Sequence, residues 1–131
     1  MSTTKILATA AAAFIGLTAF ASSADAATWK TVVTKKGSGA FTVKSFYRTL
    51  PTPTQVRLVS RSTIGTTVSW TISCVRGWDV TAKSGTWNAR AGARVKNLSV
   101  MPGAESCDVV AAVGTRGITN GRFILQLQRT V

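Results

Sequence analysis

The 131-residue sequence contains no histidine and only four acidic residues. Histidine is the commonest general base near neutral pH and a frequent metal ligand, so its absence removes the usual starting point for either kind of site. The carboxylates after residue 26 are Asp79, Glu105 and Asp108. A hydrolase with paired carboxylates would need two of these to converge across the fold. We therefore expect no catalytic residues and no enzymatic activity.

Motifs for cofactors and metals are missing as well. Gly37-Ser38-Gly39 is rich in glycine, but it precedes a predicted strand and no Gly-Lys-Ser/Thr follows it, so it does not match a phosphate-binding loop. The spacings typical of zinc and calcium sites are absent. After residue 26 no serine is followed three positions later by lysine. We expect neither a cofactor nor a metal.

Long apolar runs are also scarce, since the sequence has one, residues 6–20, near its start. This run is too short to cross a membrane comfortably. It follows Lys5 and precedes Ala24-Asp25-Ala26, a small-x-small cleavage pattern. These features predict a signal peptide over residues 1–26 and a single domain over residues 27–131. We expect a secreted, extracellular protein, either released or associated with the cell wall.

The clearest secondary-structure pattern lies at residues 66–74. Val68, Trp70, Ile72 and Cys74 alternate with serine and threonine. Strict alternation is typical of a strand with one buried and one solvated face, and β-branched and aromatic residues suit such a strand. We therefore predict a central strand here with Trp70 facing the core.

Similar patterns recur along the rest of the chain. Further strands are predicted at residues 28–34, 40–48, 55–61, 85–90, 93–100, 107–113 and 122–130, with a short extended segment from residue 80. A turn or loop is predicted at residues 35–39, and Pro51-Thr52-Pro53 is expected to interrupt the strands. The last strand is preceded either by a tight hairpin turn at Asn120-Gly121 or by a longer loop that starts at Gly114. Seven or eight short strands without helical periodicity favour an all-β fold, an antiparallel β-sandwich of Greek-key or jelly-roll/immunoglobulin-like type.

The chain has two cysteines, Cys74 and Cys107. In an oxidising compartment a single pair indicates a disulfide bond rather than a redox or metal site. Closing this loop stabilises the fold by about 3–4 kcal/mol in the chain-entropy account. We expect the bond to staple the two layers of the sandwich together.

The charge is strongly unbalanced, with 16 lysines and arginines and a formal net charge of +12. Lys5 and Asp25 would leave together with the signal peptide, so the mature net charge is unchanged. The basic residues are spread from Lys30 to Arg129. Such a chain attracts polyanions, including nucleic acid, anionic lipid and acidic wall polymers. The alternative is a solvated surface that only keeps an exported protein soluble.

Tryptophans lie among the basic residues. Aromatic rings beside cations suit stacking on sugars or bases next to an anionic backbone. The alternative is packing against one end of the sandwich. The candidate ligand-binding residues are Arg57, Arg61, Arg76, Trp78, Trp87, Arg90, Arg94 and Lys96.

Four features, in order along the chain, form a recognisable layout: Trp29, Gly37-Ser38-Gly39, the strand from Trp70 to Cys74, and Cys107. The layout resembles the small, exported, single-disulfide β-sandwich proteins of high-GC Gram-positive bacteria. The resemblance implies the fold and export. That group has no common activity to carry over, and the strong positive charge departs from its acidic or neutral members.

Two functions remain as hypotheses. The first is a non-enzymatic binding module for an anionic cell-surface polymer or polysaccharide. The second is a protein-binding module, such as an inhibitor of a secreted enzyme, that presents the loop between Arg76 and Lys83. Sequence-specific nucleic-acid recognition is not expected.

Overall fold

A computed structural model of the chain describes residues 28–115 and 121–131. The predicted signal peptide, residues 1–26, and Asn120 lie outside the described residues. The regular structure within these ranges consists of eight strands: β1 (Trp29–Ser38), β2 (Val43–Pro51), β3 (Val56–Ser62), β4 (Thr66–Arg76), β5 (Asp79–Ala89), β6 (Gly92–Leu98), β7 (Ser106–Thr115) and β8 (Arg122–Thr130). The tight hairpin turn predicted at Asn120-Gly121 is wrong, because β7 ends at Thr115 and pairs with β2 and β4 rather than with β8.

The strands form two four-stranded antiparallel sheets, ordered β1-β8-β3-β6 and β2-β7-β4-β5. The first strand along the chain pairs with the last, the second with the second to last, and so on inward: β1 with β8, β2 with β7, β3 with β6, and β4 with β5. This nested pairing is the arrangement of a jelly roll. The expected antiparallel β-sandwich is confirmed, and the strand order selects the jelly roll from the alternatives.

The core lies between the sheets and follows the alternation of the strands. In β4 the side chains of Val68, Ile72 and Cys74 are buried, whereas Ser69 and Thr71 are exposed. The first sheet contributes Val56, Leu58, Phe123, Leu125 and Leu127. Each such side chain stabilises the fold by about 1.5–3 kcal/mol when fully buried. Trp70 faces the core as predicted but is only partly buried at its margin.

Cys74 and Cys107 form the expected disulfide bond. They lie directly opposite each other on β4 and β7, with their Cα atoms 4.0 Å apart. Both strands belong to the second sheet, so the expectation that the bond staples the two layers together is wrong. The bond instead joins neighbouring strands of one sheet and closes a loop that contains β5 and β6.

The turn predicted at residues 35–39 is wrong in its first part, because β1 continues to Ser38. Gly37 lies directly opposite Phe123 of β8, and a Cβ atom at Gly37 would overlap the Phe123 ring. Gly85 of β5 lies opposite Trp70 in the same way, and its added Cβ would be 2.9 Å from Cζ2 of that ring. Both glycines therefore leave free the space that an aromatic ring on the neighbouring strand occupies.

Two segments predicted separately, one from residue 80 and one at residues 85–90, are a single strand, β5. This strand lies at the edge of the second sheet. The other edge strand of that sheet, β2, ends at Pro51, where the missing N–H is tolerated. Among the described residues there is no helix long and apolar enough to cross a membrane.

Candidate anion-binding face

The outer face of the first sheet carries a group of cationic side chains. In β8 the odd-numbered residues 123–127 are buried, so Arg122 and Ile124 face outward. Strand pairing places Lys36 of β1 on one side of Ile124 and Arg61 of β3 on the other. Arg57 lies on the same face of β3, two rows further along. We call Lys36, Arg57, Arg61 and Arg122 the cationic face.

Neighbouring side chains hold two of these arginines in place. The Arg57 guanidinium stacks on the Trp29 ring, 4.0 Å from its centroid, and Nε donates to Oε1 of Gln128 at 2.8 Å. Arg61 Nη1 donates to Oε1 of Gln126 at 2.9 Å. A neutral amide accepts one of the five guanidinium hydrogens and leaves the charge uncompensated. The glutamines therefore orient the arginines without neutralising them.

An open pocket of about 720 Å³ lies where this face meets the start of β8. Three cations, Lys36, Arg61 and Arg122, line it together with the apolar side chains of Ile124 and Ala93. The three cations are exposed, whereas Ile124 is partly buried between them. The volume lies within the range of small-molecule sites, about 300–1,000 Å³. The pocket therefore combines positive charge, apolar surface and room for an organic group.

The cations of this pocket have no acidic partner within the described part of the chain. The one ion pair among the described residues joins Arg76 and Asp79, with 3.5 Å between Nη2 and Oδ2. An anion placed in the pocket would be attracted by all three of these charges.

The outer face of the second sheet is different. Most of its side chains are serine, threonine, alanine or valine, with Tyr47 and Val110 exposed as a cross-strand pair. Among the described residues of that face, Asp108 is the one charged side chain, and its Oδ1 accepts a 2.7 Å hydrogen bond from Thr49. The positive charge of the molecule is therefore distributed unequally between the two faces.

The structure separates the basic residues that the sequence singled out. Arg57 and Arg61 lie on the cationic face. Arg94 and Lys96 lie on β6 but on the side that faces the other sheet, and Lys96 Nζ is 5.9 Å from the centroid of the Trp70 ring. These two groups are not one patch.

The remaining candidates lie elsewhere. Arg76 and Trp78 belong to the β4–β5 hairpin, whose turn is the two residues Gly77 and Trp78. The Trp78 side chain is fully exposed. Arg76 Nη1 donates to the carbonyl oxygen of Pro102 at 2.9 Å, which fixes the base of the hairpin.

Arg90 and Trp87 complete the set of candidates. Arg90 is exposed in the connection between β5 and β6. The Trp87 side chain is partly buried and packs against the core. Trp87 therefore presents little surface for a ligand, and the packing alternative describes its position.

Sequence reasoning missed Lys36 and Arg122. Lys36 was missed because residues 35–39 resemble a turn, whereas β1 continues to Ser38. A signal for Arg122 existed, since inward Phe123, Leu125 and Leu127 require Arg122 to face outward. The sequence could not place β1 and β3 on either side of β8, so it could not bring the three cations together.

The described residues contain no cluster of three or more histidine, cysteine or acidic side chains able to hold a metal ion. Neither a scan of the chain against models of protein families nor a search of curated protein sequences returned a match.

Proposed function

We propose that the protein is a secreted, non-enzymatic binding module that holds an anionic cell-surface polymer or polysaccharide on its cationic face. One observation carries the proposal. Lys36, Arg61 and Arg122 surround a single pocket, and no carboxylate in the described residues pairs with them.

The expected attraction comes from the local electric field of these cations rather than from the net charge of the protein. Cations that border a concave surface attract anions more strongly than the same charges scattered over a convex one. The glutamines that hold Arg57 and Arg61 reduce the cost of ordering these side chains when a ligand binds. The exposed position of the cations means that salt should weaken the interaction.

The proposal is tested with dextran sulfate and neutral dextran, which share one backbone. We expect the protein to bind dextran sulfate at low salt, to lose most of that binding near 1 M salt, where the Debye length falls to about 3 Å, and to ignore neutral dextran. The variant Lys36→Gln/Arg61→Gln/Arg122→Gln should bind at least about tenfold more weakly, because the loss of even one hydrogen bond to a charged group costs ~1.5 kcal/mol or more.

A matched variant removes three cations elsewhere. Lys44→Gln/Arg48→Gln/Lys83→Gln has the same net charge as the first variant but leaves the cationic face intact; all three of its sites are exposed. Its affinity should stay within about threefold of wild type if the site is local. Equal losses in both variants would mean that net charge alone drives retention and would contradict the proposal.

A second candidate function is protein binding through the β4–β5 hairpin. Trp78 at its tip is fully exposed, and Gly77 has a positive φ of 61° at the first position of the turn. A two-residue turn with this backbone conformation matches the twist of the strands. Tryptophan is enriched among the residues that dominate the energetics of protein interfaces.

Trp78→Ala separates this candidate function from a structural role. Because the ring is fully exposed in the free protein, the substitution should change the free energy of unfolding by no more than about 0.5 kcal/mol, measured by urea denaturation. Any protein captured from culture supernatant by the wild type should then be lost with Trp78→Ala. Destabilisation of more than 1 kcal/mol would show that the ring packs onto the fold.

A further inference from the structure

The pocket of the cationic face has features that define the chemistry of its ligand. The inference drawn from them rests on the proposed function. The relevant residues are Lys36, Arg61 and Arg122, with Ile124 between them.

The spacing follows from sheet geometry. Lys36, Ile124 and Arg61 form one cross-strand row, so the Cα atoms of Lys36 and Arg61 lie about 10 Å apart, twice the spacing of neighbouring strands. Arg122 lies two residues along β8 from Ile124, a distance of about 7 Å. The Cα atoms of the three cations therefore lie on three sides of Ile124, and all three residues line the pocket.

The number of cations around the site determines which shape of anion fits it best. A carboxylate offers two oxygens in one plane, which a single guanidinium fork can occupy. A phosphate monoester or a sulfate ester offers three terminal oxygens arranged as a tetrahedron. Three cations that converge from different sides can each contact a different oxygen of such a group.

The pocket is also larger than the anion alone. Its volume of about 720 Å³ and its apolar lining of Ile124 and Ala93 leave room for the organic group that carries the anion. The hydroxyl-bearing residues Ser38, Ser62 and Thr63 also line the pocket. A sugar or polyol presents both apolar C–H surface and hydroxyl groups and fits this lining.

We infer that the pocket binds a tetrahedral oxyanion ester of a sugar or polyol, meaning a phosphate monoester or a sulfate ester, in preference to a carboxylate. Lys36, Arg61 and Arg122 each contact one terminal oxygen, and Ile124 supports the carbon skeleton. On a polymer, this unit is the position at which the chain is held.

Three hexoses with different groups at carbon 6 test the inference: glucose 6-phosphate, glucose 6-sulfate and glucuronate. The sulfate ester and the carboxylate each carry one negative charge. A difference in affinity between glucose 6-sulfate and glucuronate therefore reports the shape of the anionic group rather than its charge. By isothermal titration calorimetry of the full-length mature protein, glucose 6-sulfate should bind about tenfold more tightly than glucuronate, and glucose 6-phosphate at least as tightly as the sulfate.

The variant Arg122→Gln provides the structural control. It removes one of the three cations, so it should weaken binding of glucose 6-sulfate more than binding of glucuronate and reduce the preference for sulfate over carboxylate to less than about threefold. The control Lys83→Gln should keep the full preference. Arg122 and Lys83 are both exposed, so both variants are expected to fold.

The outcomes separate the inference from the proposed function. Equal binding of sulfate and glucuronate, tight binding of phosphate alone, or binding of none of the three sugars overturns the three-oxygen geometry. If dextran sulfate is still retained through Lys36, Arg61 and Arg122 in those cases, the proposed function stands without the inference. Loss of dextran sulfate binding as well would overturn both. If glucose 6-sulfate binds more tightly than glucuronate, the relative affinities of the phosphate and the sulfate then identify which ester the pocket favours.

Discussion

Phe123→Ala is expected to lower the free energy of unfolding by about 3–5 kcal/mol. The Phe123 ring is 1% exposed and belongs to the main core cluster. It covers Gly37 on the neighbouring strand, where no Cβ fills the space. Truncation of Phe123 to alanine therefore leaves a cavity lined on one side by the β1 backbone, which cannot move in to fill it. The change is measured by urea denaturation monitored through tryptophan fluorescence.

The substitution Gly37→Ala tests the same contact from the other side. In the wild type it should be destabilising, because the new methyl group meets the Phe123 ring. In the Phe123→Ala background it should cost much less or even stabilise, since the methyl group enters the cavity. We expect a coupling free energy of about 1–3 kcal/mol in a double-mutant cycle. If Phe123→Ala does not fold, Phe123→Leu serves in its place, and strictly additive effects would contradict the contact.

Replacing both cysteines, as Cys74→Ala/Cys107→Ala, is expected to cost about 3–4 kcal/mol. The bond connects residues 33 positions apart, and both cysteine side chains are buried in the core. Removing the bond restores the conformational freedom of the unfolded chain over β5 and β6. For a domain whose total stability is about 5–15 kcal/mol, this is a large fraction.

Reductant supplies the control for the disulfide prediction. The wild type should lose a similar free energy of unfolding when it is reduced, whereas the double variant should not respond to reductant. A loss below about 1 kcal/mol would mean that the sheet holds these strands in place without the bond. Because the bond lies within the second sheet, dextran sulfate binding by folded protein should be unaffected.

The fold was predictable to the level of its class. Alternation at Val68, Ile72 and Cys74 identified a half-buried strand, and the same period recurred through β8. The two-cysteine composition left one possible bond. These features depend on local pattern, which sequence records directly.

Strand order was not predictable, and the errors followed from it. The pairing of β4 with β7 decides that the disulfide lies in one sheet, yet these strands are far apart in sequence. Gly37 and Gly85 resemble turn residues until Phe123 and Trp70 are placed opposite them. A glycine that accommodates a ring and a glycine that makes a turn are identical in sequence.

The candidate site depends on the same missing information. Arg61 was selected from its outward position in β3, and Arg122 could have been. Their meeting with Lys36 around Ile124 requires β1, β8 and β3 to be adjacent in that order. Charge composition predicted attraction to polyanions, but only tertiary structure distinguishes a cluster from an even distribution.

The most direct test of the cationic face is an NMR titration of ¹⁵N-labelled protein, residues 27–131, with a short sulfated dextran oligosaccharide. The largest amide shift changes should fall in β1, β8 and β3 near Lys36, Arg122 and Arg61, with little change on the outer face of β4 and β7. Shift changes spread evenly over the basic residues, or centred on the Tyr47–Val110 face, would contradict the account.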